Sequence, residues 1–470
     1  MKDVRVRIAP SPTGEDLHIG NVYTALINYV FARQRNGKFI IRIEDTDRAR
    51  LVPGSEQRIL SSIKWLGLNY DEGPDVGGPY GPYRQSERLD LYRQYAEKLV
   101  KEDNAFYCNC SPERLDEMRK QQQSRGFPTI YDGKCKREHN QKPKNKNEKY
   151  VIRLNIPEEG KTEFEDVIRG KISFENRLID DQVLIKSDGF PTYHLAVVVD
   201  DHLMKISHCI RAEEWISSTP KHILIYNYLG WHQPIFAHGP ILRNPDKSKL
   251  SKRKNPVWVS WYKQQGFIPE AILNYLALMG WSMPDGKEIF SLNEMMKYFI
   301  LKDLKAIGPA FDVRKLEWMN GEYIRKNQSA SWRTKLKSQI YEYLEKKYPE
   351  EIIDKTIPLI QERIKKLSDY LPLCEFFFQQ PQKYELDLSD KKGLIKQIIE
   401  ELEKLQNFKE DDIGETMQNL ATMLKIKNSE FFMFLRIAMT GKKISPPLNE
   451  SMEILGKDEV LKRLRYFTSE

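Results

Sequence analysis

The chain has 470 residues, 40% of them hydrophobic and 11% aromatic, enough to bury several cores and to exclude disorder along its whole length. Lysine and arginine number 75 against 67 acidic residues, a net charge of +8, and this mild basic excess suits a polyanion partner without requiring one. Five cysteines argue against a secreted disulfide framework, the charged start MKDVRVRIAP against a signal peptide, and no apolar run approaches the ~18 residues of a membrane span, so the expectation is a soluble, cytoplasmic protein.

The first predicted element is a strand in which Val4, Val6 and Ile8 alternate with charged residues. Pro10 and Pro12 stop it, because each fixes φ and removes a backbone donor. A helix then begins at His18-Ile19-Gly20, which brings the His18 ring and the unpaired N–H groups of a helix start to one place, an anion site. Val22, Tyr23, Leu26, Ile27, Val30 and Phe31 make that helix apolar nearly all round, and Asn36-Gly37 ends it. KFIIRIED follows as a buried strand, and strand–helix–strand implies a parallel sheet with a right-handed crossover.

DEGPDVGGPYGPY, dense in glycine and proline, reads as a surface connection. A helix over SERLDLYRQYAEKLVKED leads to Cys108, Cys110 and Cys135, then to the basic stretch KREHNQKPKNKNEK. Strand patterns resume at KYVIRLNI and KISFENRLI, and residues 84–189 read together as an insertion into the sheet domain. Residues 190–245 return to a buried α/β pattern, and NPDKSKLSKRKN is a turn-rich basic loop. Beyond residue 325 the strand signal fades; GLIKQIIEELEKLQN places Leu394, Ile395, Ile398, Ile399 and Leu402 on one helical face, and EFFMFLRIAM and EVLKRLRYF also read as helices. Cys209 and Cys374 lie in apolar settings that suit packing.

HIGN after the first strand, with KLSKR far downstream, resembles the paired signature motifs of class I aminoacyl-tRNA synthetases, although Asn21 stands where the consensus has histidine. RIAPSPTG, RIEDTDR, GPYRQSER, DGFPTYHLAVVVDDHLM, IRAEEW, LRNPDKSKLSKRK and FDVRKLEWMNGEYI, in that order, resemble the bacterial-type glutamyl-tRNA synthetase family. The resemblance implies an α/β Rossmann-type catalytic domain with an α+β insertion, followed by an all-α C-terminal anticodon-binding region. Its halves would be residues 1–83 and 190–245, with an acceptor-stem insertion at 84–189, a stem-contact region carrying KLSKR at 246–325 and the anticodon domain at 326–470. It implies ATP with Mg²⁺, L-glutamate and tRNA-Glu as substrates of a monomer, or, as the alternative, a non-discriminating enzyme that also charges tRNA-Gln.

Residue by residue, the resemblance implies that His18, Gly20 and Lys252 are catalytic and that Lys249 and Ser251 complete the ATP site. It implies that Arg7, Ala9, Ser11, Glu44, Tyr193 and Arg211 bind glutamate, with arginine forks suited to its carboxylates and Glu44 to its ammonium group. The competing reading pairs Arg7 with Glu44, and Arg211 with Glu213 or Glu214, as parts of the scaffold. Arg363 corresponds to an arginine that reads the anticodon. Cys108, Cys110, Tyr131 and Cys135 would hold one structural Zn²⁺, His139 being the other candidate for the fourth ligand, while Lys134, Lys136, Arg137, Lys142, Lys144 and Lys146 would meet tRNA phosphates.

Overall fold

The computed structural model describes residues 3–139, 148–246, 248, 250, 256–326, 330–388 and 391–468. Lys142, Lys144, Lys146, Lys249, Ser251 and Lys252 lie outside the described residues. Two compact units form: Met1–Trp261 with Ile272–Asp312, and Tyr262–Ala271 with Val313–Glu470.

In the first unit, β1 (Arg5–Ile8) runs parallel to β2 (Lys38–Ile41), with Arg5 opposite Lys38 and Ile8 opposite Ile41. The predicted crossover helix between them is α1 (Ile19–Gln34). Its N-cap is His18, whose Nδ1 accepts the Gly20 N–H at 3.0 Å. Its end is the expected Asn36-Gly37 turn: Asn36 takes φ 51°, and the Gly37 N–H closes on the Ala32 carbonyl at 2.8 Å. Only glycine suits position 37, because a Cβ there would collide with the carbonyl of Val4, just before β1.

The chain continues through α2 (Ser55–Trp65), α3 (Leu89–Lys101), β3 (Ala105–Cys108), α4 (Pro112–Ser124), α5 (Lys134–Arg137), β4 (Val151–Leu154), β5 (Lys161–Asp166), β6 (Gly170–Glu175) and β7 (Val183–Ile185). It then forms α6 (Tyr193–Leu203), β8 (His208–Ala212), α7 (Thr219–Tyr228) and β9 (Ile235–Gly239). β3, β4 and β7 make a small antiparallel sheet. A second sheet has the order β6-β5-β9-β8, with β9 parallel to both β5 and β8. Its β8 begins beside β1, where the Ser207 N–H bonds the Arg5 carbonyl at 2.9 Å.

Residues 84–189, expected as an insertion, contribute strands to two sheets. Only β3, β4 and β7 form a sheet of their own; β5 and β6 extend the sheet of β8 and β9. Thr162, Phe164 and Asp166 alternate inward on β5, Phe164 packs edge-on against Phe236, and the Val167 N–H bonds the Phe236 carbonyl at 2.9 Å. The helical unit begins before the expected boundary at 325/326, at Val313, and takes in an earlier segment. Residues 262–271 join the helical unit because Ile268 and Ala271 pack with Ile324, Leu336 and Ile340, and the Asn320 side chain accepts the Ile268 N–H while donating to the Lys365 carbonyl.

That second unit is helical as expected, with no strand among its described residues. Ile395, Ile398 and Leu402 of the predicted apolar stripe are fully buried against Ile413, Met417, Phe431 and Leu464. Cys209 and Cys374 are buried packing residues in their respective units. No helix among the described residues is long and apolar enough to cross a membrane.

The first unit is held by charges as well as apolar contacts. Asp200 and Asp201, at the buried face of α6, are 0% and 3% exposed. Asp201 accepts from Arg7 at 2.8 and 3.0 Å and from Arg42 at 2.7 Å. Asp200 accepts from Arg88 at 2.7 Å, from Gln85 at 2.9 Å and from the Tyr92 hydroxyl at 2.9 Å. Breaking such a buried pair leaves an uncompensated charge, so Asp200→Ala is expected to destabilise the protein by ~3–5 kcal/mol in urea titrations. A loss under ~1 kcal/mol would show instead that Arg88 finds other partners on relaxation.

Candidate active site

The C-terminal ends of β1 and β8 and the first turn of α1 open on a cavity of about 830 Å³. Arg7, Ala9, Ser11, His18, Gly20, Glu44, Tyr193 and Arg211 all line it. Eight residues singled out from the sequence thus converge on one cavity, where the crevice at the carboxyl ends of strands is the usual ligand site of open α/β sheets.

The segment that follows the second motif pairs with the first through its backbone. The Ile19 N–H bonds the Val257 carbonyl at 2.7 Å and the Val259 N–H bonds the Leu17 carbonyl at 3.1 Å. Trp258 stands edge-on to the His18 ring, 5.9 Å between centroids, and Leu250 of KLSKR reaches the cavity wall. Because His18 Nδ1 accepts from Gly20, the proton of the neutral ring sits on Nε2, the edge that donates. A Cβ on residue 20 would lie 3.1 Å from His18 Nδ1, so a side chain there would press on this cap.

Arg7 and Arg211 meet opposite surroundings. Arg7 does not pair with Glu44; it is held bidentate by Asp201, with Cys209 Sγ a further 3.2 Å contact. Burial disfavours its charge, but Asp201 and Cys209 outweigh burial and hold Arg7 well above the ordinary value. Arg211 pairs with neither Glu213 nor Glu214. Glu213 accepts from Arg169 at 2.7 Å and Arg243 at 2.8 Å. The Arg211 guanidinium, 6% exposed, donates instead to His238 Nε2 at 3.0 Å, the Tyr193 hydroxyl at 2.9 Å and Thr219 Oγ1 at 2.8 Å, and both its terminal nitrogens lie 3.3 Å from His222 Nδ1. Among the described residues no carboxylate forms an ion pair with it.

Glu44 follows β2 and faces the cavity with Arg42 Nη2 at 3.3 Å. Burial pushes its carboxyl up to about 7, against the opposing pull of Arg42 and Arg7. Sequence reasoning missed Arg42, Asp201, Thr219, His222 and His238, although two aspartates ending the apolar run AVVVDD were a visible signal of buried charge.

Residues 3–318 match the family model of the catalytic domain of class I tRNA synthetases (E and Q), and residues 334–468 match the anticodon binding domain. The chain is 48% identical to the glutamate–tRNA ligase of Acidothermus cellulolyticus, covering 98% of this chain and 95% of that one. It is 46% identical to the glutamate–tRNA ligase of Cellvibrio japonicus, covering 99% and 93%. The chain belongs to the glutamate–tRNA ligase family. A solved glutamate–tRNA ligase from Elizabethkingia meningosepticum, in complex with its amino acid, superposes with a TM-score of 0.83 at 36% identity and covers 99% of each chain.

Glutamate–tRNA ligases are class I synthetases, and the cysteine cluster lies away from this chain's cavity, at the end of β3 and on α5. The Sγ atoms of Cys108, Cys110 and Cys135 lie within 4.8 Å of one another. The Tyr131 hydroxyl sits among them, 3.6 Å from Cys108 Sγ and 3.4 Å from Cys110 Sγ, and accepts the Cys135 N–H at 2.9 Å. His139 is not part of this group. Burial pushes the Cys110 thiol up to about 11; at Cys108 burial is outweighed by the Cys110 N–H and Arg153, and its thiol is held below the ordinary value.

In the helical unit, the exposed Arg363 donates to the Ser445 carbonyl at 2.7 Å. Arg436 converges on the same loop through Ser445 Oγ at 2.6 Å and the Pro446 carbonyl at 2.9 Å.

The raised Glu44 value has a direct readout. With its carboxyl pushed up to about 7, Glu44 is protonated below that pH and ionised above it. Infrared difference spectra, with Glu44→Gln as the blank, should show its protonated-carboxyl band fading with a midpoint near pH 7. A midpoint below about pH 5 would mean that Arg42 and Arg7 outweigh burial there.

Proposed function

We propose that the cavity binds glutamate through Arg211 and Arg7, with Glu44 receiving its ammonium group and Ala9, Ser11 and Tyr193 completing the wall. Arg211 receives the side-chain carboxylate, because among the described residues that line the cavity it is the buried cation without a carboxylate partner, and that observation carries the reading. Arg7, already matched by Asp201, receives the α-carboxylate as a directional donor rather than as a new charge pair. His18 Nε2–H, Gly20 and the first turn of α1 meet the phosphates of ATP, which arrives with Mg²⁺, and Lys249, Ser251 and Lys252 belong to the same site by their motif.

In the first step an α-carboxylate oxygen of glutamate attacks the α-phosphorus of ATP; the bond to the bridging oxygen breaks and pyrophosphate leaves. In the second, the terminal ribose hydroxyl of tRNA-Glu attacks the adenylate carbonyl, loses its proton and expels AMP. Both are displacements in which this chain's residues position the reactants and stabilise developing charge. The helical unit, with Arg363 and Arg436 side by side, reads the anticodon, and the β3-β4-β7 sheet meets the acceptor stem. No specific observation favours additional charging of tRNA-Gln.

Arg211→Ala tests this assignment. The KM for glutamate should rise at least ~10-fold, from loss of a charge-assisted hydrogen bond, with the KM for ATP much less affected. Discrimination against glutamine should narrow, since the neutral amide no longer faces an unmatched cation. Loss of thermal stability with selectivity intact would make Arg211 a scaffold residue.

Cys108, Cys110, Cys135 and Tyr131 fit one structural Zn²⁺: three sulfurs and an oxygen already converge, and zinc favours four such donors in a tetrahedron. They would hold the β3 end and α5 together. About one zinc per chain should copurify and be lost on Cys108→Ser with Cys110→Ser, as read by elemental analysis; metal-free protein from chelator-free preparations would remove the site.

A further inference from the structure

We propose that Asp166 and His238 are positioning residues that aim Arg211 at the side-chain carboxylate and thereby set the selection of glutamate over glutamine. The inference rests on the assignment of Arg211 made above. It concerns how that guanidinium is held.

Asp166 ends β5 and His238 lies on β9. Asp166 Oδ1 accepts the N–H groups of Ile168 and Arg169, each at 3.0 Å. Its Oδ2 accepts the His238 backbone N–H at 3.0 Å and His238 Nδ1–H at 2.6 Å. Four donors around one carboxyl keep it ionised, and an ionised carboxylate only accepts. The proton of His238 is therefore on Nδ1, and burial, outweighing Asp166, holds the ring below the ordinary histidine value, so Nε2 carries a lone pair. That lone pair lies 3.0 Å from Arg211 Nε.

The rest of the guanidinium is held in the same manner. The Thr219 hydroxyl donates to the Trp215 carbonyl at 3.0 Å, so its oxygen accepts from Arg211 Nη2 at 2.8 Å. His222 Nδ1 faces both terminal nitrogens, while its Nε2 lies 3.2 Å from His194 Nδ1. Every group that orients Arg211 is neutral and acts as an acceptor. A carboxylate in their place, as Asp201 is for Arg7, would orient the cation but also neutralise it. Neutral anchors orient it and leave its charge for the ligand, which is what separates a carboxylate from an amide of the same shape. The Asp166–His238 pair is the part of this arrangement that depends on a single proton. With that proton on Nε2, an N–H would confront Arg211 Nε–H and the guanidinium would turn away.

The test compares wild type with Arg211→Ala, Asp166→Asn, His238→Leu and His238→Gln in ATP–pyrophosphate exchange with glutamate and with glutamine, alongside melting curves. In Asp166→Asn an amide N–H faces Nδ1 and drives the ring proton to Nε2. This variant and His238→Leu should raise the KM for glutamate at least ~10-fold and narrow the glutamate-to-glutamine ratio of kcat/KM by a similar factor, with the KM for ATP within ~2-fold of wild type. His238→Gln, whose amide oxygen keeps an acceptor towards Arg211, should recover most of the selectivity that His238→Leu loses. If both disruptive variants retain glutamate KM and selectivity within ~2-fold while Arg211→Ala loses them, the positioning role is overturned and the assignment of Arg211 stands. If the KM for ATP and for glutamate rise together and His238→Gln recovers nothing, the pair only joins β5 to β9. Should Asp166→Asn not fold, the Leu and Gln variants at 238 decide. If Arg211→Ala itself leaves selectivity intact, the assignment beneath the proposal has failed.

Discussion

The catalytic unit depends on two adjacent carboxylates, Asp200 and Asp201, buried on one helix. Asp201 joins α6 to β1 through Arg7 and to the residue after β2 through Arg42; Asp200 joins it to the start of α3 through Arg88. Segments far apart in the chain are thus tied at one point beneath the cavity. Buried charges tolerate no partial solution: each must find its partner at hydrogen-bond distance, or the penalty of removing it from water stands uncompensated. The network therefore specifies a single placement of α6 under the β1-β2 pair, where apolar packing alone would accept small slides.

The same constraint divides labour inside the cavity. Arg7 is matched by Asp201 and contributes direction. Arg211 is surrounded by neutral acceptors and contributes charge. Glu44, close to Arg42 yet pushed up to about 7 by burial, is a carboxyl that an incoming ammonium group would return to its ionised form. Arg7 and Arg211, two buried arginines, behave differently because the groups around them differ, not the side chains themselves. A glutamate–tRNA ligase has to recognise a small zwitterion with an extra carboxylate, and graded matching of buried charge is one physical route to that.

Short-range physics made much of this protein legible in its sequence. The helix start at His18, the Asn36-Gly37 stop, the apolar helix between them and the stripe at Ile395, Ile398 and Leu402 follow from capping, backbone freedom and a 3.6-residue period. The cysteine spacing and the order of motifs were covalent facts, and eight of the residues they singled out reached one cavity and four others one cluster. What the sequence by itself determined was therefore the elements, the family resemblance and the identity of eight residues that line the cavity. Tertiary structure alone decided that β5 and β6 complete the main sheet, that residues 262–271 belong to the helical unit, and which partner each buried charge takes. The reason is that strand neighbours and buried partners such as the Arg7–Asp201 ion pair or the Asp166–His238 hydrogen bond join residues distant along the chain, and their choice depends on packing and desolvation that no local pattern encodes.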